Sequence, residues 1–362
     1  MKQCPDGKVL NTKTNRCIKI KEIKKCPDGK ILNTKTNRCI KIKNDNKIIK
    51  INYIKMKTDL INNLKIIKDF EKNNGNYFKE KAYDKAINII ELFDKNLSME
   101  NIKELKGIGD KTMEKIKEFI TTNKIQKVIE IENDPKYILY KNLPKIYGIG
   151  PVKIKEIKSK IDKFTDLYLD ENKKLLNNKQ LIGLKYFDDL EKRIPYSEGT
   201  KHNEIISNNI KKIDDKIVFD MVGSFRRKSS DMGDIDILIK DTGNIKLNDI
   251  INKLIENNYI IETLANGKKK FMGICKIDDL PARRIDILLT NEKHYYYTLL
   301  YFTGSYTFNI EMRKKALEKG LSLSEYGYTD VKTKKLLEYN VKSEKDIFDI
   351  IDFKYIKPEN RI

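Results

Sequence analysis

Asp234 and Asp236 stand in Gly233-Asp234-Ile235-Asp236-Ile237-Leu238, two carboxylates in a short apolar run of β type. Residues i and i+2 of a strand share a face, so the two side chains are expected to project together. Adjacent carboxylates repel each other unless cations sit between them. A third, Asp286, arrives in Arg283-Arg284-Ile285-Asp286-Ile287-Leu288-Leu289, again on a β-type run. Three carboxylates on neighbouring strands suffice for two-metal nucleotidyl transfer. One Mg2+ would activate a hydroxyl nucleophile and the second would bind a triphosphate and stabilise the leaving pyrophosphate, with Mn2+ as a substitute. Upstream, Gly223-Ser224 offers a turn whose hydroxyl and amides suit that triphosphate. Asp-x-Asp alone also fits a solvated strand beside a turn. The Gly-Ser before it and the Arg-Arg-Ile-Asp after it decide for a metal site.

The elements that must hold these residues read as short strands alternating with helices after Pro195: IVFDMVGSF, DIDILIK, KFMGICKI and RRIDILL. Before them the texture is helical. From Thr58 onward, Leu60, Ile61, Leu64, Ile67 and Phe70 are spaced for one helix face, and further helical stretches cover 83–93, 112–120 and 124–131. Leu105-Lys106-Gly107-Ile108-Gly109 and Ile146-Tyr147-Gly148-Ile149-Gly150 lie about 40 residues apart, each between two helical segments. Glycine allows a tight turn and a close approach to a partner, and amides at the next helix N-terminus face a phosphate. This is the helix-hairpin-helix arrangement, which holds DNA by its backbone and reads no sequence. Gly107, Gly109, Gly148 and Gly150 are its candidate DNA contacts.

The chain of 362 residues carries 74 Lys+Arg against 53 Asp+Glu, a formal charge of +21, which points to a polyanionic partner. Heavy use of Lys, Ile and Asn fits AT-rich coding, so charge alone does not identify DNA. No apolar run approaches the roughly 20 residues that span a bilayer and no signal-peptide pattern opens the chain, so a soluble intracellular protein is expected. Four of the five cysteines fall in a tandem repeat, CPDGKVLNTKTNRCIKI from Cys4 and CPDGKILNTKTNRCIKI from Cys26, with a 22-residue period. Two cysteines per unit allow a disulfide and four allow zinc. Their wide internal spacing favours a small stapled or disordered tail over zinc. The Cys-Pro-Asp-Gly and Asn-Arg-Cys ends resemble two-cysteine adaptor repeats of large DNA viruses.

Gly-Ser followed by Asp-x-Asp is a mark of the nucleotidyltransferase superfamily. Over residues 58–362 the chain resembles a family X DNA polymerase of the DNA polymerase beta type. The resemblance rests on IGLKYFDDLEKRIP, GSFRRKSSDMGDIDILI, KFMGIC, RRIDILL, YFTGSYTFN, ALEKGLSLSEY and SEKDIFD, in that order. It implies an α+β architecture, a helical lyase domain with helix-hairpin-helix motifs followed by a fingers-palm-thumb polymerase. By resemblance, Asp234, Asp236 and Asp286 are the metal ligands. Arg193, Ser224, Arg227, Gly233 and Asp234 contact the nucleotide, mainly its phosphates. Tyr301, Phe302 and Gly304 pack its sugar and base. Asn309 and Arg313 reach the minor groove, and Arg284 interacts with Asp286 and the primer end. Backbone carbonyls of Lys103, Leu105 and Ile108, then of Pro144, Ile146 and Ile149, would hold K+ or Na+ at the hairpins. Lys115 matches a lyase nucleophile, whose amine would form a Schiff base with a 5′-deoxyribose phosphate. Lys79, Tyr83, Lys103, Lys111 and Lys127 would line its phosphate pocket. Phe78, Tyr306 and Ile310 depart from the family pattern, Phe78 replacing a His and the other two replacing polar residues.

The expected layout is tandem repeats at 1–42, a linker or basic helix lead-in at 43–57, a lyase domain at 58–133, fingers at 134–192, palm at 193–300 and a nucleotide-selecting thumb at 301–362. The substrates implied are gapped or nicked duplex DNA and deoxynucleoside triphosphates, with no membrane and a monomeric chain. Viral proteins are the partners suggested for the repeats, and a virion or viral factory the location. Two rivals stand beside this reading. A template-independent terminal transferase usually carries a long insertion near the active site, and none lies between Asp236 and Asp286. An inactive DNA-binding scaffold would not need the intact carboxylates.

Overall fold

The computed structural model describes residues 8–11, 16–19, 30–33, 38–41, 45–243 and 245–361, with side chains from residue 54 onward. Its contacts divide into two compact units, Met1–Tyr137 and Ile138–Ile362. No helix among the described residues is long and apolar enough to cross a membrane.

In the first unit, β1 (Lys8–Asn11) pairs antiparallel with β2 (Arg16–Lys19), and β3 (Lys30–Asn33) pairs likewise with β4 (Arg38–Lys41). The sequence repeat thus becomes a structural one. Leu10 faces Cys17 in one hairpin as Leu32 faces Cys39 in the other. Cys4 and Cys26, the other half of each expected pair, lie outside the described residues. The helix α1 (Asp45–Asn73) begins well before Thr58, so of the two readings of the stretch ahead of Thr58, linker or basic helix lead-in, the backbone follows the second. The reason is local: nothing from Asp45 to Lys57 is Gly or Pro, so nothing stops the helix. It is followed by α2 (Tyr77–Leu92), α3 (Asp110–Thr122) and α4 (Gln126–Glu132). Their apolar stripes meet in one core that includes Leu60, Leu64, Ile67, Ile87, Ile90, Ile116, Phe119 and Val128.

The chain passes into the second unit along α5 (Pro135–Asn142). Four short helices then surround a core from Leu139 to Phe187: α6 (Pro151–Lys158), α7 (Asp170–Lys173), α8 (Asn178–Lys185) and α9 (Phe187–Leu190). The catalytic region opens with β5 (Ile194–Pro195), α10 (Tyr196–Lys211), β6 (Phe219–Met221), α11 (Gly223–Arg226) and β7 (Asp231–Met232). Then come β8 (Ile235–Asp241), α12 (Leu247–Glu256), β9 (Ile260–Asn266), β10 (Lys270–Cys275) and β11 (Arg283–Asn291). Five strands form one sheet in the order β6-β8-β11-β10-β9, in which only β8 and β11 run parallel. Along β11 the odd positions Arg283, Ile285, Ile287 and Leu289 are buried and the even ones are half-exposed. Ile285, Ile287 and Leu289, with Ile235, Ile237 and Ile239 of β8, pack against Leu247, Ile250, Ile251 and Leu254 of α12. Those α12 positions follow the i, i+3, i+4, i+7 spacing of a core-facing helix. On the opposite face Leu238 and Leu288 pack against Tyr295 and Leu299 of the helix that follows β11, which leaves the end near Asp236 and Asp286 uncovered by that cluster.

The last segment comprises α13 (Tyr295–Thr303), α14 (Tyr306–Glu318), the hairpin of β12 (Leu321–Ser324) with β13 (Gly327–Asp330), and α15 (Glu344–Ile350). Their own core gathers Leu300, Phe308, Met312, Tyr328, Ile347 and Phe348.

Candidate active site

Parallel pairing puts Asp236 of β8 directly beside Asp286 of β11, on strands separated by about 4.8 Å. Asp234 precedes β8 rather than lying within it. The shared-face argument therefore holds for Asp236 and Asp286 across the sheet, while Asp234 reaches the site from a turn. That turn is pinned by the two-residue pairing of β5 with β7, Ile194 opposite Met232. The Asp234 carboxylate meets Arg284 Nη2, and Arg284 Nε stands 3.8 Å from Asp286 Oδ1. Lys270 Nζ lies 3.8 Å from Asp286 Oδ2.

Above Asp236 sits α11, fastened to β8 by a hydrogen bond from Val222 N to Asp236 O (2.8 Å). Gly223 begins α11 at φ +60°, and a Cβ there would lie 2.5 Å from Asp236 Oδ2. Only glycine fits this approach. Ser224 is half-exposed on the next position, and its hydroxyl has no partner among the described residues. Phe302 lines a small space together with Asp236, Lys270 and Asp286.

Asp236 keeps a partly exposed edge, yet protein crowds it. Burial first, then the charges of Asp234 and Asp286, pushes its carboxyl up to about 7. Asp286 is likewise raised, chiefly by burial, with Arg284 and Lys270 pulling the other way. Among the described residues no group of three His, Cys, Asp or Glu side chains is arranged as a metal cage, and Asp234 is paired with Arg284. Two observations nonetheless fit cations here. Asp286 Oδ1 is buried without a hydrogen-bond partner, and Asp236 ionises at a cost that a neighbouring positive charge would remove.

That cost has a measurable consequence. Because the folded value lies above the ordinary 3.8, the stability contributed by Asp236 is full below about pH 4 and lost as pH rises through about 7. A cation bound between the carboxylates offsets that loss. Mg2+ should therefore raise the melting temperature little at pH 5 and clearly more at pH 8. A Mg2+ shift that is equal at both pH values would contradict this reading of Asp236.

The remaining candidate residues gather in part. Arg193 donates from Nε and Nη2 to Asp231 Oδ1 (2.9 and 2.7 Å), and its guanidinium borders Gly233. Arg227 Nη1 donates to Thr303 O (2.5 Å) and lies beside Gly304, a residue at φ +66° whose peptide bond to Ser305 is cis. Asn309 Nδ2 donates to Tyr301 O (2.8 Å), and the Arg313 guanidinium stands 5.3 Å above the Tyr301 ring. Tyr306 and Ile310 are exposed on α14.

Around the second hairpin, Gly148 has φ +77° and its carbonyl accepts from Gln180 Nε2 (2.7 Å), while Gly150 caps α6. Of the carbonyls expected to hold a cation there, that of Ile146 accepts from Ile149 N (3.1 Å), and Pro144 and Ile149 flank it. A cavity of about 720 Å³, lined by residues including Lys240, His294, Tyr326 and Tyr339, is remote from the carboxylates. It lies toward the end of β8 and β11 opposite Asp236 and Asp286.

In the first unit, Gly107 turns at φ +84° and Gly109 caps α3. Lys103, Leu105 and Ile108 surround that turn. Lys111 and Lys115 share one face of α3, and Lys115 Nζ donates to Lys111 O (3.1 Å). Tyr83 of α2 is buried, with Thr112 of α3 near its hydroxyl. Burial, then Glu71, raises its hydroxyl above the ordinary value. Lys79 pairs with Glu71 and Lys127 with Glu130, at 3.3 and 3.1 Å. Phe78 is 90% exposed beside Tyr77.

Known protein families match three separate segments of the chain. The family described as DNA polymerase beta palm matches residues 193–292, DNA polymerase beta thumb matches 298–362, and a helix-hairpin-helix domain matches 56–125. DNA polymerase lambda of Arabidopsis thaliana is 27% identical over 305 residues, covering 77% of this chain and 57% of its own length. DNA polymerase lambda of Rattus norvegicus is 27% identical over 308 residues, covering 79% and 53%. DNA nucleotidylexotransferase of Xenopus laevis is 25% identical over 305 residues, covering 72% and 60%. The chain thus spans a little over half the length of these relatives.

Proposed function

From a chain that carries the palm, thumb and helix-hairpin-helix domain of a family X DNA polymerase, we propose a template-directed enzyme that fills short gaps in duplex DNA, with a 5′-deoxyribose-phosphate lyase in its first unit. The observation that carries the polymerase reading is the side-by-side placement of Asp236 and Asp286 beneath the Gly223-Ser224 turn. Asp234, Asp236 and Asp286 would hold two divalent cations, Mg2+ or Mn2+. When bound, these supply a lowered pKa at the primer 3′-hydroxyl and charge stabilisation at the leaving pyrophosphate. The chain's own residues do the rest. Ser224, Arg193 and Arg227 bind the triphosphate, and Arg284 exchanges its hold on Asp234 for the primer end. Tyr301, Phe302 and Gly304 wall the sugar and base, while Asn309 and Arg313 reach the minor groove. Both hairpins grip the backbone through amides, with K+ or Na+ at their carbonyls.

Primer extension on a one-nucleotide gapped duplex, with and without a 5′-phosphate, tests the reading. Extension should need the template base, require Mg2+ and improve with the phosphate. Template-free extension of a single-stranded primer at an equal rate would favour a terminal transferase, the activity named for the Xenopus relative. The amino-terminal repeats would serve as an adaptor to a viral protein partner in a virion or viral factory, and because the polymerase resemblance begins only near Thr58, a chain starting near residue 50 should keep the full gap-filling rate.

A further inference from the structure

The triphosphate turn is fastened from behind by charges that the chemistry does not use. Arg226, the last residue of α11, donates from Nη1 and Nη2 to the two carboxylate oxygens of Glu344 (3.0 and 2.7 Å). Its Nη1 also donates to Thr303 Oγ1 (2.8 Å). Arg361 Nη1 donates to Glu344 Oε1 (2.8 Å) and Arg361 Nε to Ile356 O (2.9 Å). The Arg361 guanidinium lies 5.1, 5.6 and 5.8 Å from the ring centres of Phe308, Phe348 and Tyr355. Thr303, Glu344 and Arg361 are at most 5% exposed. The two guanidiniums outweigh burial and hold Glu344 below the usual carboxylate range.

Buried ion triads of this kind are weak contributors to stability, since apolar side chains of similar volume often do as well or better. What sets this one apart is the set of parts it joins. Arg226 ends the turn that carries Ser224. Thr303 ends α13, directly after Tyr301 and Phe302 and before the Gly304 turn into α14. Glu344 opens α15. Arg226 and Arg227 together hold Thr303 by its hydroxyl and its carbonyl. Arg227 does so through Nη1, and its other nitrogens have no hydrogen-bond partner among the described residues. It lies near enough to feel the charge of Asp236.

We propose that Glu344 is a positioning residue for the incoming nucleotide. Through Arg226 it fixes the triphosphate turn against the Tyr301–Gly304 wall, so that phosphate clamp and sugar wall form one rigid unit. The proposal rests on the polymerase reading. Arg361, braced by three rings, keeps the carboxylate from following Arg226 if that turn shifts.

Glu344→Gln keeps the size and loses the charge. In gap filling at saturating DNA, the KM for the nucleotide should rise about tenfold, the loss expected for hydrogen bonds to a charged group. A kcat within about twofold of wild type would mark lost ground-state positioning rather than lost chemistry. DNA affinity and lyase trapping should not move. The triple variant Arg226→Met, Glu344→Met, Arg361→Met separates positioning from folding. It should melt at or above the wild-type temperature and still show the raised KM. If Glu344→Gln does not fold, the triple variant alone decides. A wild-type KM in a folded triple variant would show that the triad serves only the fold. Absence of incorporation by the wild type would instead sink the polymerase reading, and this proposal with it.

Discussion

Asp236→Ala should abolish nucleotide incorporation while DNA binding stays near wild type. The carboxylate sits where β8 and β11 bring two acids together, and it is the one crowded by both Asp234 and Asp286. Losing a cation site forfeits several kcal/mol of transition-state stabilisation, so incorporation should fall at least about a thousandfold. DNA affinity should survive, because the proposed hairpin and lysine contacts are made to phosphates elsewhere on the chain. The same change removes a raised, buried acid. The metal-free variant should therefore be at least as stable as wild type at pH 8, which separates lost chemistry from lost folding. Extension at a wild-type rate would overturn the assignment of Asp236 as a ligand.

Lys115→Ala should do the reverse. Borohydride should trap the wild-type chain covalently on a 5′-deoxyribose-phosphate end without Mg2+, since the amine needs no metal. Lys115 lies in the first unit and the carboxylates lie in the second. Trapping should thus be lost while gap filling persists. Lys111, one helical turn away on α3, can substitute only from a misplaced position, which costs about a hundredfold. Trapping of Lys115→Ala at the wild-type level would move the nucleophile to another lysine. A wild type that never traps would leave the helical unit as a grip on the 5′ side of a gap.

Much of this was legible because local rules and tertiary needs agree. Leu60, Leu64 and Ile67 face the core that their spacing predicts, and the two Gly-x-Gly turns precede helices as expected. The β11 alternation put Asp286 on the face of the sheet opposite the α12 core. Other parts were not legible. Asp-x-Asp was read as a strand pair, but Asp234 lies outside β8, and its turn depends on a two-residue pairing too short to leave a period. The capture of Asp234 by Arg284 joins residues 50 apart in sequence. The Arg226–Glu344–Arg361 triad is further still from any local signal, since a sequence separation of 118 residues divides its first two members. SEKDIFD was visible as a motif, yet nothing in it says that its glutamate reaches into the palm.

The parallel pairing of β8 and β11 also dictates an order of events during synthesis. When the ribosome has released Asp241, β8 can pair with β6 on one side only. Its other edge must wait while α12, β9 and β10 are made, because a parallel neighbour cannot arrive through a tight turn. An unpaired apolar edge is what invites pairing with foreign chains, and such distant contacts form slowly. The same delay acts as a safeguard. A fragment released before Asp286 has the Gly223-Ser224 turn with Asp234 and Asp236 but lacks the third carboxylate, so under the polymerase reading an incomplete chain would hold DNA and yet write nothing into it.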